Sequence, residues 1–171
     1  MKTKLNLGCG RNHKGGYINL DRIPLKGVDI VWDLDVFPYP FKENQFEEIL
    51  AEDSLLAYGN DLVKTMNELY RISKHNAKIK IAVPYFNNIM AYASPLFKNR
   101  FFTLDTFTHF TPEGDCWYAG NGSFKIIKQE LIPTKLGKWV PFKKFLLNKI
   151  AIFIPNLVQA IHIELSVLKN E

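Results

Sequence analysis

Residues 5–21 read LNLGCGRNHKGGYINLD, two short apolar runs joined by a glycine-bearing link with no room for a helix. Lys4–Leu7 and Tyr17–Leu20 predict the first two strands. Gly8 and Gly10 let the backbone turn tightly after the first strand and approach a ligand with no Cβ in the way. Asn12 stands where a third glycine would be expected, and asparagine is among the few residues that tolerate a left-handed conformation. Glycine pairs of this kind occur in many turns that bind nothing, so the link gains meaning only from the residues beyond it.

Three more strands and a helix are legible downstream. Val28–Trp32 (VDIVW) is rich in β-branched residues and closed by Asp33; Phe46–Ala51 predicts a fourth strand, although EEIL alone would also suit a helix. Between Asp61 and Ser73, Leu62, Met66, Leu69 and Ile72 recur at three- and four-residue steps, one face of an amphipathic helix. Lys78–Val83 (KIKIAV) alternates as a strand and stops at Pro84, and Phe124–Ile132 and Ile161–Leu168 bring the set to about seven. A helix crossing over before KIKIAV makes neighbouring strands parallel. The expected architecture is α/β: a Rossmann-like, open, mostly parallel seven-stranded sheet with helices on both faces.

With 171 residues, 47% of them apolar and 13% aromatic, the chain can bury one core and not two, so residues 1–171 are expected to form a single domain. The net charge of +5 comes from 22 basic residues spread along the chain, which suits a solvated surface better than a nucleic-acid groove. Cys9 and Cys116 give neither a metal-ligand spacing nor a disulfide framework, and no metal is expected. No signal-peptide core follows Met1, which makes a cytoplasmic location the expectation. Residues 139–160, WVPFKKFLLNKIAIFIPNLVQA, are dense in apolar side chains. Lys143, Lys144, Lys149, Pro155 and Asn156 interrupt them, which a span of about 20 apolar residues would not allow. The stretch predicts a basic amphipathic helix packed on the domain; the alternative, over 139–157, is a peripheral contact with a membrane or a partner through an apolar face flanked by lysines.

In an open parallel sheet, ligands bind beyond the carboxyl ends of the strands, where strand order reverses. Gly8, Asp21, Asp33 and Asp53 all fall at such ends. An ionised Asp21 can accept from both hydroxyls of a ribose, or simply hold the turn before Arg22. Asp33, one strand later, can accept from an adenine amino group while Leu34 offers an amide. Together these positions make a nucleoside pocket. A dinucleotide fold places a full helix after the glycine turn to hold a pyrophosphate, and its acid about 20 residues on. Asp21 comes only eleven positions after Gly10, so a nucleoside cofactor without phosphates is favoured over NAD.

LNLGCG, INLD and the run VDIVWDLDVFPYPFKENQFEEILAED, with NELYRISKHNAKIKIAVP after them, resemble the class I S-adenosylmethionine-dependent methyltransferases, in a small-molecule branch with a shortened first-motif helix. RFFTLDTFTHF and SFKIIKQ are similar to the family's C-terminal substrate region, so the resemblance spans nearly the whole chain. It implies S-adenosyl-L-methionine as cofactor, bound by Asn6, Gly8, Cys9, Gly10, Asp21, Arg22, Asp33, Leu34 and Asp53. Gly8 and Gly10 would line its methionine part, Asp21 its ribose, and Asp33 with Leu34 its adenine. Asn6 replaces a common acid, and in EDSLLAYGN Asp53 and Leu56 stand where a histidine and a glutamate are often aligned.

Methyl transfer needs a base only when the nucleophile arrives protonated. Asp53 and His109, the latter on the polar side of the short FFTLDTFTHF helix, are the expected catalytic residues; a helix cap and a solvated surface residue are the ordinary alternatives. Tyr85 and Phe86 either pack near the sulfonium or belong to the core. PYF follows the wrong strand for a base-methylating motif, which further disfavours nucleic acid. The expected function is methyl transfer to a small molecule or a sugar or glycan acceptor, at oxygen. A cofactor- or partner-binding protein without turnover is the alternative.

Overall fold

Alternation at steps of two gives the strands of this chain one apolar and one charged side, and the whole sheet inherits that asymmetry. The computed structural model describes residues 2–52, 61–89, 101–114, 123–139, 147 and 149–169. In chain order the elements are β1 (Lys4–Leu7), β2 (Ile18–Asp21), β3 (Ile30–Val31), β4 (Phe46–Ala51), α1 (Leu62–Ile72), β5 (Ser73–Pro84), a 3₁₀ helix (Leu104–Phe110), β6 (Ser123–Pro133), a 3₁₀ turn (Gly137–Trp139) and β7 (Val158–Leu168). The seven strands form one open sheet in the order β3-β2-β1-β4-β5-β7-β6. The first five in that order run parallel, and β7 pairs antiparallel with both β5 and β6. Strand order therefore reverses between β1 and β4.

On one side, Leu5, Ile49, Ile79 and Leu165 lie abreast across four strands. They are fully buried with Leu7, Leu20 and the α1 residues Met66, Leu69 and Ile72. α1 begins where Asp61 caps it, its carboxylate accepting from the Lys64 amide at 3.0 Å, and packs the stripe predicted from its periodicity against this side.

The other side is built differently. A parallel crossover ordinarily takes a dozen or more residues and a helix, yet β1 joins β2 through residues 8–17 and β2 joins β3 through 22–29. Two buried asparagines, in register on β1 and β2, hold the first link down. Asn6 Nδ2 donates to the Asn12 carbonyl and to Asn19 Oδ1, both at 2.9 Å; Asn19 Oδ1 accepts from the Lys14 amide, and its Nδ2 donates to the Lys14 carbonyl. Asp29 anchors the second link by accepting from the Asn19 amide at 2.8 Å. Further along, the same side presents Lys4, Glu48, Lys78, Lys80 and Glu164, with Glu48 bridged at 3.0 Å to both Lys4 and Lys80. Helices were expected on both faces; among the described residues α1 packs on the apolar side, and the links 8–17 and 22–29 place no helix over these charges.

Sequence patterning located the elements, although β3 is only Ile30–Val31 of the expected Val28–Trp32, and three further differences appear. The ladder of β5 extends back to Ser73, but it slips between the Phe46–Ser73 and Glu48–Lys78 pairs, where Asn76 takes a positive φ; the regular ladder begins at Lys78, as alternation predicts. EEIL is strand, because Ile49 and Leu50 pair on both flanks. The apolar stretch from 139 is not one helix: residues 147, 149 and 150 are helical, 151–157 are turns and bends, and β7 starts at Val158. Pro155 cannot continue a helix, and Asn156 has a φ of 60°. Among the described residues, no helix is long and apolar enough to cross a membrane.

Burial works to raise the pKa of Glu48, but hydrogen bonds from Lys4, Lys80 and Tyr17 outweigh it and hold the carboxyl down to about 2, against an ordinary 4.5. A depressed folded-state pKa contributes stability that is fully present above the unfolded value and is lost as pH falls through the folded one. Glu48→Gln should therefore lower stability at pH 7 by about 1–3 kcal/mol and flatten the stability profile between about pH 4.5 and 2, measured by urea unfolding across that range. An unchanged acid limb would mean that the ion pairs contribute nothing to folding.

Candidate functional site

The carboxyl ends of β1, β2 and β3 are tied to one another by the chain immediately beyond them. Gly8 and Gly10 adopt φ of 61° and 49°, the left-handed region in which a side chain is strained. Between them the Cys9 amide donates to the Leu20 carbonyl at 3.0 Å. The Gly10 amide then donates to Asp21 Oδ2 at 2.8 Å, and Asp21 Oδ1 accepts from the Ile23 amide at 3.0 Å. Asp21 is thus both a turn residue and the clasp on the glycine loop. The Asp21 carbonyl accepts from the Trp32 amide at 2.9 Å, which carries the tie on to β3.

Asp33 is exposed just past β3, its Oδ1 accepting from the Asp35 amide at 3.0 Å and its carbonyl from the Val36 amide. Leu34 is held by a relay that the sequence did not reveal. Its carbonyl accepts from the Tyr39 hydroxyl at 3.2 Å; the Tyr39 amide donates to Glu68 of α1 at 2.7 Å, and Arg71 donates to the carbonyls of Tyr39 and Phe41 while pairing with Glu68 at 2.8 Å. Burial pushes the Tyr39 hydroxyl far above its usual pKa, so it remains a neutral donor. The only signal in the sequence was the i, i+3 spacing of Glu68 and Arg71, which points to an ordinary helix-surface pair.

The remaining expected site residues do not all converge on this loop. Asn6 spends one amide hydrogen on the link beneath the loop and the other on Asn19 of β2 rather than facing outward. Asn12 is not among the residues with positive φ; Gly8, Gly10 and Gly16 supply the left-handed positions in its place. Cys9 is buried, and burial first, then the nearby Asp21 charge, raises its thiol pKa, so it stays a neutral thiol. Arg22 is exposed after β2. Asp53 lies outside the described residues, as does Leu56. His109 stands in the 3₁₀ helix Leu104–Phe110, which Thr103 caps and which Gln129 of β6 ties down through the Leu104 carbonyl. The same segment approaches the end of β5, where the Phe86 amide donates to the Phe102 carbonyl and Tyr85 stacks edge-on against Phe86 at 4.8 Å. Tyr85 is buried and Phe86 half-buried, both within the core.

Space and acceptor capacity remain at this loop. A Cβ added at Gly10 would meet nothing within 4 Å, so open space lies before the loop. An ionised carboxylate has about four acceptor positions, and the Gly10 and Ile23 amides occupy two at Asp21, leaving capacity for two hydroxyls. No helix comes after the loop to receive a pyrophosphate. A cleft bordered by Glu52, Lys80, Lys128, Glu130, His162 and Glu164 opens elsewhere, on the charged side of the sheet, where Lys80, Lys128, Glu130 and Glu164 already pair with one another or with neighbours.

No protein-family model matches this sequence, and no curated protein matches it. Solved structures do. A SAM dependent methyltransferase from Archaeoglobus fulgidus aligns with a TM-score of 0.67 at 16% identity, over 95% of this chain and 85% of that one. The chain has the fold of the class I S-adenosylmethionine-dependent methyltransferases. An S-adenosylmethionine dependent methyltransferase from Mesorhizobium loti aligns at 0.60 and 11% identity, over 95% and 90% of the two chains. The [4+2]-cyclase SpnF aligns at 0.61 and 10% identity, over 98% and 75%. At these identities the likeness is one of fold, and within that methyltransferase fold the glycine loop and Asp21 stand beside the point where strand order reverses.

Gly10→Ala meets no steric obstacle but must hold a left-handed φ, which costs about 1–2 kcal/mol. Urea unfolding should register that loss. An unchanged midpoint would mean that the loop relaxes to another conformation.

Proposed function

We propose that this protein is an S-adenosylmethionine-dependent methyltransferase acting at oxygen on a small molecule or on a sugar or glycan. The observation that carries the reading is the 2.8 Å bond from the Gly10 amide to Asp21, which fixes a carboxylate with spare acceptor capacity beside a glycine loop opening on empty space. The cofactor supplies an electrophilic methyl group on a sulfonium. Asp21 would hold its ribose hydroxyls, the Gly8–Gly10 backbone would lie along its methionine end, and the turn of Asp33 and Leu34 would receive its adenine. The chain's own contribution is alignment: Glu68, Arg71 and Tyr39 keep the Leu34 turn in place, and Asn6 with Asn19 keeps the loop in place, so little reorganisation accompanies binding.

A hydroxyl acceptor must lose its proton. Asp53, two positions after the last residue of β4, is the proposed base, with His109 on the 3₁₀ helix as the second candidate. A binding protein, or an enzyme of another reaction on the same scaffold, is the competing reading, and the likeness to a protein named as a [4+2]-cyclase favours keeping it in view.

S-adenosylmethionine, and its demethylated product, should raise the unfolding temperature and bind in a calorimetric titration, whereas NAD should do neither. Asp21→Ala should weaken that binding by about 1.5–3 kcal/mol in a folded protein. Binding of NAD in preference, or an Asp21→Ala affinity equal to wild type, would overturn the assignment. With an acceptor found by screening sugars and small metabolites for cofactor consumption, Asp53→Asn should lower turnover by about 10² while leaving cofactor affinity unchanged. Normal turnover in that variant with loss in His109→Ala would move the base to the 3₁₀ helix. Binding without any acceptor would favour the competing reading.

A further inference from the structure

Four separate stretches meet beyond the carboxyl end of β5, and each turns large apolar side chains outward. Trp139 is 86% exposed, Phe153 80%, Phe101 66%, Ile89 61%, Leu136 60% and Ile152 54%. Backbone and amide bonds stitch most of these positions into one surface. The Ile89 amide donates to Asn156 Oδ1 at 2.9 Å, Asn87 Nδ2 donates to the carbonyls of Ala151 and Ile152, and Thr134 Oγ1 donates to the Asn156 carbonyl at 2.7 Å. Gly137 sits so close to Leu157 that a Cβ there would fall 2.0 Å from its carbonyl oxygen, which locks the Trp139 turn against the Phe153 turn. Most of the outward side chains thus stand on a hydrogen-bonded base.

Two of these stretches carry charge of a single sign, while Asp105 stands near Tyr85 at the end of β5. Residues 134–157 contain five lysines and no aspartate or glutamate, and Lys135, Lys138 and Lys149 are exposed beside the apolar side chains. Single exposed apolar residues are ordinary, but an aromatic and aliphatic group of this size on one hydrogen-bonded base marks a contact surface. A protein-binding core would be depleted of lysine. Tryptophan and phenylalanine on a lysine-bearing segment without acids match the boundary of a bilayer, where rings enter the headgroup level and ammonium groups meet lipid phosphates.

We propose that this surface docks the protein on an anionic lipid bilayer, with Trp139 and Phe153 inserting and Lys135, Lys138 and Lys149 contacting the headgroups. Docking does not depend on cofactor binding. Where the methyl-transfer reading also holds, the surface lies at the same edge of the sheet as the Gly8–Gly10 loop and would bring lipid-borne acceptors to that edge.

The test is flotation of the full chain with vesicles of phosphatidylcholine containing about a third phosphatidylglycerol, against vesicles of phosphatidylcholine alone, at about 0.1 M salt. Binding is expected to the anionic vesicles and to fall steeply in about 0.5 M salt. Phe153→Ser and Trp139→Ser should each weaken it about tenfold, and Lys135→Glu with Lys138→Glu at least as much. Both aromatic rings are solvent-exposed, so unfolding temperatures should match the wild type and folding failure would be visible separately. No cofactor is added, so a negative result leaves the methyl-transfer reading standing and a positive one does not support it. Failure to float with anionic vesicles, equal binding by the serine variants, or a wild-type dimer in gel filtration that Phe153→Ser dissociates would each overturn the proposal, the last by assigning the surface to a second copy of the chain.

Discussion

Two buried side-chain amides take the place of a crossover helix. Asn6 and Asn19 stand abreast on β1 and β2, bonded to each other. Asn6 donates to the Asn12 carbonyl while Asn19 accepts from and donates to the Lys14 backbone, so that together they grip residues 12–14. Leaving such a group without its partner costs about 1–3 kcal/mol, so the pair both demands the short link and stabilises it. The geometry above the pair depends on its grip. With the link held close to the sheet, Gly8 and Gly10 must turn left-handed, and the Gly10 amide arrives within reach of Asp21.

The same economy explains the unlike faces of the sheet. Parallel sheets are usually covered on both sides and their strands read as continuous apolar runs. Here the links 8–17 and 22–29 hold no helix, and strands near the middle of the sheet carry lysine and glutamate on that side instead. Glu48 sits between Lys4 and Lys80 in a pairing geometry that keeps it ionised down to about pH 2. The other side concentrates the core, with α1 supplying both its apolar stripe and, through Glu68 and Arg71, the clamp on Tyr39 that positions the Leu34 turn.

That asymmetry is also why the strands were legible in the sequence. KIKIAV and IHIELSVL alternate because one side faces water, and a fully covered parallel sheet would have blurred the period that identified them. The glycine loop and Asp21 were legible for a related reason: strand ends and left-handed turns leave local marks. The Leu34 relay was not, because Tyr39 and Glu68 are 29 positions apart and meet only through the fold. Asn19 and Asp29 escaped notice as well, each looking like an unremarkable strand or turn residue until the missing helix gave it a task. The stretch from 139 misled by composition: its apolar density suggested a helix, whereas Pro155 and the left-handed Asn156 turn the chain into β7 and leave Phe153 outward.

In the proposed function, the ends of β1, β2 and β3 form one nucleoside-binding site built on the Gly10–Asp21 bond. Amide resonances of the ¹⁵N-labelled protein, monitored during titration with S-adenosylhomocysteine, test it directly. The largest shifts should fall on Gly8 to Gly10, on Asp21 to Ile23 and on Asp33 to Asp35, whose amides sit at or beside the three strand ends. Shifts confined to the charged cleft between Lys80, Glu130 and His162, or none at saturating ligand, would contradict it.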